Sequence, residues 1–353
     1  MKKSRKKAYS LSSYKYSFFL FIALSFYQYS NASEKEFYFE QAYVNLCNML
    51  SDKSTLNFKK AVFIVENAFY DEKLNESRFD EVISEYGKLC AKLATSNLIQ
   101  YTLEDATSVY RNAAIFKFMS DTITVYLDDN NVIFHFPFKY NFDDYAGKAD
   151  WRNTFVTTLL DTHKGNCHSL PILYKLIAEE MGEKAWLSLA PNHFYIKLRN
   201  KQSGWYNTEL TSGNFPSDVW MKSSGYIHLD AIINGIYMDT LSMRNSVALC
   251  LVDLAQGYQH KYPDSYEPEF VLKCCDTALE YFPNYINALL LKVETLLEVY
   301  CKNEVKSKNT LRDIEDLYGY IHKLGYRKMP DKMYLEWLSS IKDARGAYQF
   351  KSQ

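Results

Sequence analysis

The spacing of the hydrophobic residues changes twice along this chain, and the two changes limit the folds that it can adopt. Up to about residue 120 apolar residues recur close to every 3.6 positions, as in Phe58–Phe69, which is typical of amphipathic helices. From about 121 to 243 several short stretches alternate with a period of two, as in Val132–Phe138, which predicts strands. After residue 243 the helical spacing returns. This order predicts an α+β fold in which a central region with an antiparallel sheet lies between two helical regions.

The first 32 residues predict an export signal. They contain six basic residues and no acidic ones, then an apolar run over Phe18–Phe26, then Ser30 and Ala32 in the spacing that a signal peptidase requires. A membrane anchor is the weaker interpretation, because nine apolar residues fall far short of the ~20 that a spanning helix needs. We therefore expect cleavage before Ser33, an exported protein that is periplasmic or secreted, and no stable insertion in a membrane.

These changes of pattern predict four segments: a signal peptide at 1–32, an N-terminal helical region at 33–120, a core at 121–243 and a C-terminal helical region at 244–353.

The chain as a whole carries 41 basic and 42 acidic residues, with no sustained basic patch, so a general nucleic-acid partner is excluded. Seven cysteines are spaced without the regularity of a disulfide framework or of a zinc site. An odd number in an oxidising compartment leaves at least one thiol unpaired.

One cysteine differs from the others by its surroundings. Gly165 and Asn166 are turn or cap residues, an apolar helical stripe follows Leu170, and Pro171 requires that this helix begin within the few preceding residues. Cys167 is therefore predicted at a helix N-terminus, where partial positive charge favours a thiolate. We expect Cys167 to be reduced and partly exposed, and its six companions to be buried or paired.

A thiolate nucleophile needs a base that takes and returns a proton, and a polar group that orients the base. Short strands are predicted at 185–190, 193–198 and 205–210. His193 begins the second of them, and Asn207 and Glu209 lie on one face of the third. Both remain candidates for the orienting residue on this reasoning. A nucleophile on a helix, with its base and orienter on adjacent antiparallel strands, is suited to acyl transfer.

Three segments resemble the transglutaminase-like superfamily of papain-fold cysteine enzymes: Gly165–Leu170, Pro191–Ile196 and Trp205–Thr211. The resemblance covers about residues 121–243. It implies that Cys167 is the nucleophile, His193 the base and Glu209 the orienting acid. The family usually has Asp where this chain has Glu209, so Asn207 is kept as the alternative third residue, which would give a Cys-His-Asn set. The main-chain N–H of Cys167 is the expected first oxyanion donor.

Other histidines in the same stretch suggest a different chemistry. His163, Cys167, His168 and His193 together would offer zinc ligands, but their spacing fits no common zinc pattern. His168 follows the nucleophile directly and faces another side of the helix, so we interpret it as a flanking residue. No metal and no cofactor is expected.

The C-terminal region resembles a tetratricopeptide-like repeat in two segments, Asp253–Tyr258 and Cys275–Asn284, where small residues allow close helix packing and a proline ends the second helix. Only one unit is clear. Such helices commonly bind protein segments, so a protein partner is expected there.

Taken together, these observations predict an exported cysteine enzyme that acts on an amide bond through a thioester on Cys167. Hydrolysis and cross-linking are both open, and the substrate is a peptide, a protein or a cell-wall-type amide. The alternative is an inactive core that binds protein or glycan, with the helical tail as a docking module. Alkylation of Cys167 at mildly acidic pH would favour the enzyme.

Overall fold

The structure is a computed structural model that describes residues 36–96, 98–126, 131–330, 332–337 and 339–340. The predicted signal peptide lies outside the described residues. The same holds for residues 341–353, the last part of the predicted C-terminal helical region.

The N-terminal part is helical, as the 3.6-residue spacing predicts. Asn57 and Asn75 cap two of its helices: each side chain accepts a hydrogen bond from a backbone N–H three residues later, which satisfies a helix-start donor. The helices are α1 (36–50), α2 (Phe58–Phe69), α3 (Glu76–Leu93) and α4 (Ala106–Ser120).

A surface hairpin and a short connecting layer come next along the chain. The hairpin pairs β1 (Ile123–Tyr126) with β2 (Val132–His135) in antiparallel register. The sequence predicts a longer second strand, through Phe138, but Phe134 and Phe136 are both more than half exposed. The alternation there does not mark a buried face, because the hairpin pairs with no third strand of the described chain.

The connecting layer leads into the helix that follows Cys167. It contains β3 (Lys139–Tyr140), a 3₁₀ turn (Trp151–Thr154), α5 (Val156–Thr162) and β4 (Lys164–Gly165), with β3 and β4 paired in parallel. α6 (Ser169–Glu180) is buried along most of its length and packs on the main sheet.

The main sheet is a three-stranded antiparallel meander. Its strands are β5 (Trp186–Ala190), β6 (His193–Asn200) and β7 (Gly204–Thr208), with Ala190 opposite His193 and Lys197 opposite Asn207. Two residues, Pro191 and Asn192, join β5 to β6, and Asn192 adopts a left-handed conformation with φ 53°. Asparagine tolerates this conformation better than most residues, which suits it to a tight turn.

The C-terminal part is helical again and packs back on the N-terminal part. After α7 (Asp218–Ser224) and α8 (Leu229–Ile233) come α9 (Met243–Lys261), α10 (Pro268–Tyr281), α11 (Ile286–Lys302) and α12 (Lys308–Lys323). Successive helices from α9 to α12 contact each other, and α9 also contacts α2. Residues 332–337 form a last described helical turn.

A single cluster of buried apolar residues runs through both helical parts and the sheet, from Phe39 to Leu324. The α+β class predicted from the sequence is confirmed. Within the described residues, none of the helices is both long enough and apolar enough to cross a membrane.

Candidate active site

Cys167 lies in the capped turn that leads into α6 (Ser169–Glu180). The Asn166 carbonyl accepts the N–H of Leu170 at 3.1 Å, so the helical hydrogen bonding begins at Asn166. The Asn166 side chain accepts the N–H groups of His168 (2.9 Å) and Ser169 (3.2 Å), and the Ser169 hydroxyl accepts the N–H of Asn166 (3.1 Å). This reciprocal arrangement is a capping box. It holds Cys167 in the turn directly before α6, where its backbone N–H has no partner within the helix.

Gly165 is needed for this turn because of space. A Cβ atom added there would lie 2.4 Å from the Ser169 hydroxyl oxygen and 2.9 Å from a Leu159 methyl carbon. Any larger residue would displace the serine that closes the capping box. The glycine before Asn166 therefore controls where Cys167 points.

His193 is the first residue of β6 and is brought to Cys167 by the Pro191–Asn192 turn. Its ring is almost completely buried, with 2% of the residue exposed. The Cys167 thiol lies 3.7 Å from the Asn192 carbonyl, to which it donates a weak hydrogen bond. It is also close enough to the His193 ring to affect its pKa. Nδ1 of His193 is buried and makes no hydrogen bond within the described residues, so this nitrogen is left for the thiol.

The other ring nitrogen of His193 is held by Glu209. Nε2 of His193 and Oε2 of Glu209 are 2.5 Å apart, and both residues are buried. The second carboxylate oxygen, Oε1, accepts the backbone N–H of Thr211 at 2.8 Å and its hydroxyl at 2.6 Å. Each oxygen of the carboxylate therefore has a donor, which fixes its position against the imidazole.

The strand register explains why Glu209 reaches His193 and Asn207 does not. Asn207 lies opposite Lys197, four residues along β6 from His193, or ~13 Å at the usual rise of a strand. Its amide donates instead to the Pro216 carbonyl (3.0 Å) and to Asp218 (2.7 Å). The structure thus places the alternative third residue away from the histidine.

The length of Glu209 is matched to its place in the sheet. If the pairing of β6 with β7 continued by one residue, Glu209 would lie opposite Tyr195 and would be a diagonal neighbour of His193. Residues in diagonal positions are ~7–8 Å apart. β7 ends at Thr208, earlier than the predicted end at Leu210, and Glu209 instead pairs with Asn214 in a tight loop. From this position the Glu209 carboxylate reaches Nε2 of His193 at 2.5 Å.

The buried pair favours a charged imidazole beside a carboxylate. Burial lowers the pKa of His193, but the charge of Glu209 and the nearby Cys167 outweigh it and raise that pKa to about 10. Burial raises the pKa of Glu209, and the charge and hydrogen bonds of His193 and Thr211 hold it below its ordinary value. At neutral pH these shifts favour an imidazolium paired with a carboxylate.

Three aromatic residues that are not predicted from the sequence surround the thiol and the imidazole. Tyr140 is buried in β3, and burial together with the neighbouring Cys167 raises the pKa of its phenol, so it stays neutral. Trp337 packs edge-on against His193 at 5.1 Å, and Tyr334 stacks with Trp337 at 5.7 Å between ring centroids. Tyr140 lies on a two-residue strand and the other two lie about 140 residues beyond His193, so no local pattern marks them.

A second histidine, His168, follows Cys167 directly in the chain and is half-buried. Nε2 of His168 is 3.0 Å from Asp253 of α9, and Nδ1 is 3.1 Å from the Thr154 carbonyl. Burial lowers the pKa of His168, but the charge and hydrogen bond of Asp253 raise it to about 9. Nearby, Glu66 accepts the N–H groups of Val156 (2.7 Å) and Thr157 (2.8 Å), and burial raises its pKa to about 7.

The other residues that could bind a metal ion and the other cysteines do not cluster with one another in the described chain. In the described chain no three His, Cys, Asp or Glu residues form a cluster that can hold a metal ion. His163 stacks on Phe138 and bonds the Phe136 carbonyl through Nδ1. All seven cysteines are unpaired. The expectation that the companions of Cys167 are buried or paired is wrong for Cys301, which is exposed in the last turn of α11, and for Cys47, which is half-buried.

Comparison with known proteins identifies no relative: no protein-family model, no curated protein and no solved structure matches the chain.

Proposed function

We propose that this chain is a cysteine-dependent enzyme that transfers or hydrolyses an acyl group through a thioester on Cys167. The observation that carries the proposal is the state of His193: Glu209 holds one ring nitrogen, and the other is buried, without a hydrogen bond in the described chain, and next to the thiol. A nucleophile, a base and an orienting acid in this order are the elements of acyl transfer.

In the proposed reaction the Cys167 sulfur, the Cys167 N–H, His193 and Glu209 have separate roles. The Cys167 sulfur attacks an amide carbonyl, and the thiol proton resides on Nδ1 of His193. The Cys167 N–H, which has no partner within the helix, donates to the oxyanion. Glu209 stabilises the imidazolium, which then gives its proton to the leaving amine as the C–N bond breaks. Water or a second amine resolves the thioester, giving hydrolysis or cross-linking.

We also propose the family and setting that the sequence indicates. A helix that follows the cysteine and packs on antiparallel strands that carry the histidine and the acid supports a transglutaminase-like core. The consecutive contacts of α9 to α12 support a tetratricopeptide-like tail. Export, to the periplasm or the medium, is proposed on the sequence of residues 1–32 alone.

Alkylation by iodoacetamide tests the proposed nucleophile. The exposed Cys301 is first replaced by serine, so that it does not consume the reagent. Cys47 then serves as an internal control, because it is half-buried like Cys167, and burial raises its pKa. At pH 6 we expect Cys167 to be alkylated at least 100-fold faster than Cys47, with peptide mapping by mass spectrometry as the readout. Equal rates at the two cysteines would contradict the proposal.

The acyl step is tested with p-nitrophenyl acetate. We expect a burst of p-nitrophenolate that equals the enzyme concentration and an acetyl group on Cys167 detected by mass. The Cys167→Ala variant should show neither. A burst that survives in this variant would place the reaction elsewhere.

A further inference from the structure

A cavity of about 410 Å³ opens beside Cys167. Its near wall includes Cys167, His168 and Phe194, and its far wall comes from the flanking helices, with Val62 on α2 and Asp253 on α9. His193 does not line it; that ring is in contact with Glu209 and Trp337 instead. The space around the sulfur is therefore divided between an open side at the cavity and a filled side at the imidazole.

The chemistry of acyl transfer assigns the two sides differently. The leaving amine must lie at His193, because it takes a proton from that ring. The acyl part stays bonded to the sulfur and needs room elsewhere. We propose that the cavity binds the acyl part of the substrate, and that this part is an uncharged, largely apolar group of several carbons. This inference rests on the proposed function of Cys167.

Size and lining support that ligand class. The volume lies within the ~300–1,000 Å³ that small-molecule sites usually have. Much of the wall is apolar, including Val62, Val65, Phe155 and Phe194. Burying each methylene against such a wall is worth a factor of roughly four in binding. An acyl group longer than acetyl therefore gains affinity at this site.

The charges around the cavity act against an anionic acyl group. Asp253 neutralises His168 through their 3.0 Å contact, and Glu66 adds a second buried carboxyl group to the wall. A carboxylate on the ligand would lie near these acids, and the described cavity wall offers no unpaired buried cation to bind it. Lys148 lines the cavity too, but its side chain is exposed, where water weakens the attraction.

The test compares three p-nitrophenyl esters on the full-length Cys301→Ser chain: acetate, hexanoate and succinate. In each reaction the bond from Sγ to the acyl carbon forms, the bond to p-nitrophenolate breaks, and the thiol proton remains on His193. The leaving phenolate needs no proton, so the rate reports on the acyl side. After division by the rates with free cysteine, we expect hexanoate to acylate Cys167 at least tenfold faster than acetate, and succinate to react more slowly than acetate.

A pair of variants in one loop locates the effect. Ala146 lines the cavity, whereas Ala149 is exposed three residues later and does not. Ala146→Phe places a ring in the cavity, so the hexanoate-to-acetate ratio should fall at least fivefold. Ala149→Phe should keep the ratio of the parent chain.

The outcomes separate this inference from the proposed function. If acetate gives no acylation of Cys167, the proposed function itself is wrong. If acetate reacts but hexanoate has no advantage, or Ala146→Phe leaves the ratio unchanged, the acyl assignment of the cavity is overturned. A preference for succinate would overturn the ligand class.

Discussion

Two histidine–carboxylate pairs lie near Cys167, and they differ in burial and in hydrogen bonding. In the His193–Glu209 pair, the second ring nitrogen makes no hydrogen bond within the described residues. In the His168–Asp253 pair, both ring nitrogens are engaged, one by Asp253 and the other by the Thr154 carbonyl. Both histidines pair with a carboxylate, but the side chain of His193 is 2% exposed and that of His168 is 21% exposed. Within the described residues, only His193 has a ring nitrogen without a hydrogen bond.

This difference shows that a raised pKa and a carboxylate partner do not by themselves identify a base. His168 uses its charge and its two hydrogen bonds to join the helix start to α9 and to the 3₁₀ turn, which is a structural role. His193 has one ring nitrogen without a hydrogen bond in the described chain, which supports its proposed role as the base. Variants of the two pairs should therefore separate reactivity from stability.

The largest expected effect is on reactivity at His193. His193→Gln removes the base while keeping a polar side chain that Glu209 can bind. We expect the acylation rate with p-nitrophenyl acetate to fall about 100- to 10,000-fold, the usual range for loss of a general base. His168→Gln should change this rate less than about fivefold but lower the urea midpoint. Circular dichroism checks that both variants fold, and a larger rate loss in His168→Gln would reverse the assignment of the base.

The next effect concerns the acid partner of His193. Glu209→Gln keeps a hydrogen bond to the ring but removes the charge that stabilises the imidazolium, so we expect acylation to slow about 100- to 1,000-fold. Asn207→Ala should slow it less than about threefold, because its amide bonds Pro216 and Asp218. Burst kinetics measure both. A greater loss in Asn207→Ala would show that the catalytic geometry differs from the one described.

Three groups near Cys167, namely Glu66, His168 and His193, should make the stability of the chain depend on pH. Burial raises the pKa of Glu66 from 4.5 to about 7, so the folded chain keeps a proton that the unfolded chain loses. The stability from this proton is fully present below pH 4.5 and is lost as the pH rises through 7, a change of about 3 kcal/mol. The pKa values of His168 and His193 are raised from 6.5 to about 9 and about 10. The stability that their protons provide is therefore also lost as the pH rises, in a higher pH range.

Urea unfolding at pH 5 and pH 8 measures this change. The parent chain should be less stable at pH 8, and Glu66→Gln should reduce the difference between the two values by about 2 to 3 kcal/mol, leaving the part that His168 and His193 contribute. If Glu66→Gln shows the same fall in unfolding free energy as the parent, Glu66 is not its source.

The smallest effect is expected at the aromatic contact on His193. Trp337→Ala removes the ring that packs on the imidazole at 5.1 Å and opens the side where the leaving group lies. We expect iodoacetamide to react about threefold faster with Cys167. Trp205→Ala, in an exposed position on β7, is the control and should leave the rate unchanged. A slower reaction in Trp337→Ala would show that the Trp337 ring mainly holds His193 in position and does not shield the site from the reagent.

Local patterns are sufficient for several features of the site. Pro171 and the Gly165-Asn166 pair predict where the helix starts, because proline and caps act within one turn of the chain. The structure accordingly has Cys167 in the turn directly before α6. Alternation predicts the strands at 185–190 and 193–198, the second of which carries His193. The strand ends are less accurate: β7 stops two residues early, and β2 stops three residues early.

The sequence by itself determined the order of helical and strand regions and the position of Cys167 at the start of a helix, since these depend on contacts within a few residues. Only the tertiary structure decided that Glu209 and not Asn207 meets His193, because one residue of strand register changes the partner of every side chain. It also decided which histidine has a ring nitrogen without a hydrogen bond in the described chain. The packing of distant segments brought α2, α9 and Trp337 close to the site. Such contacts depend on how a common core packs, and packing is a property of the whole chain.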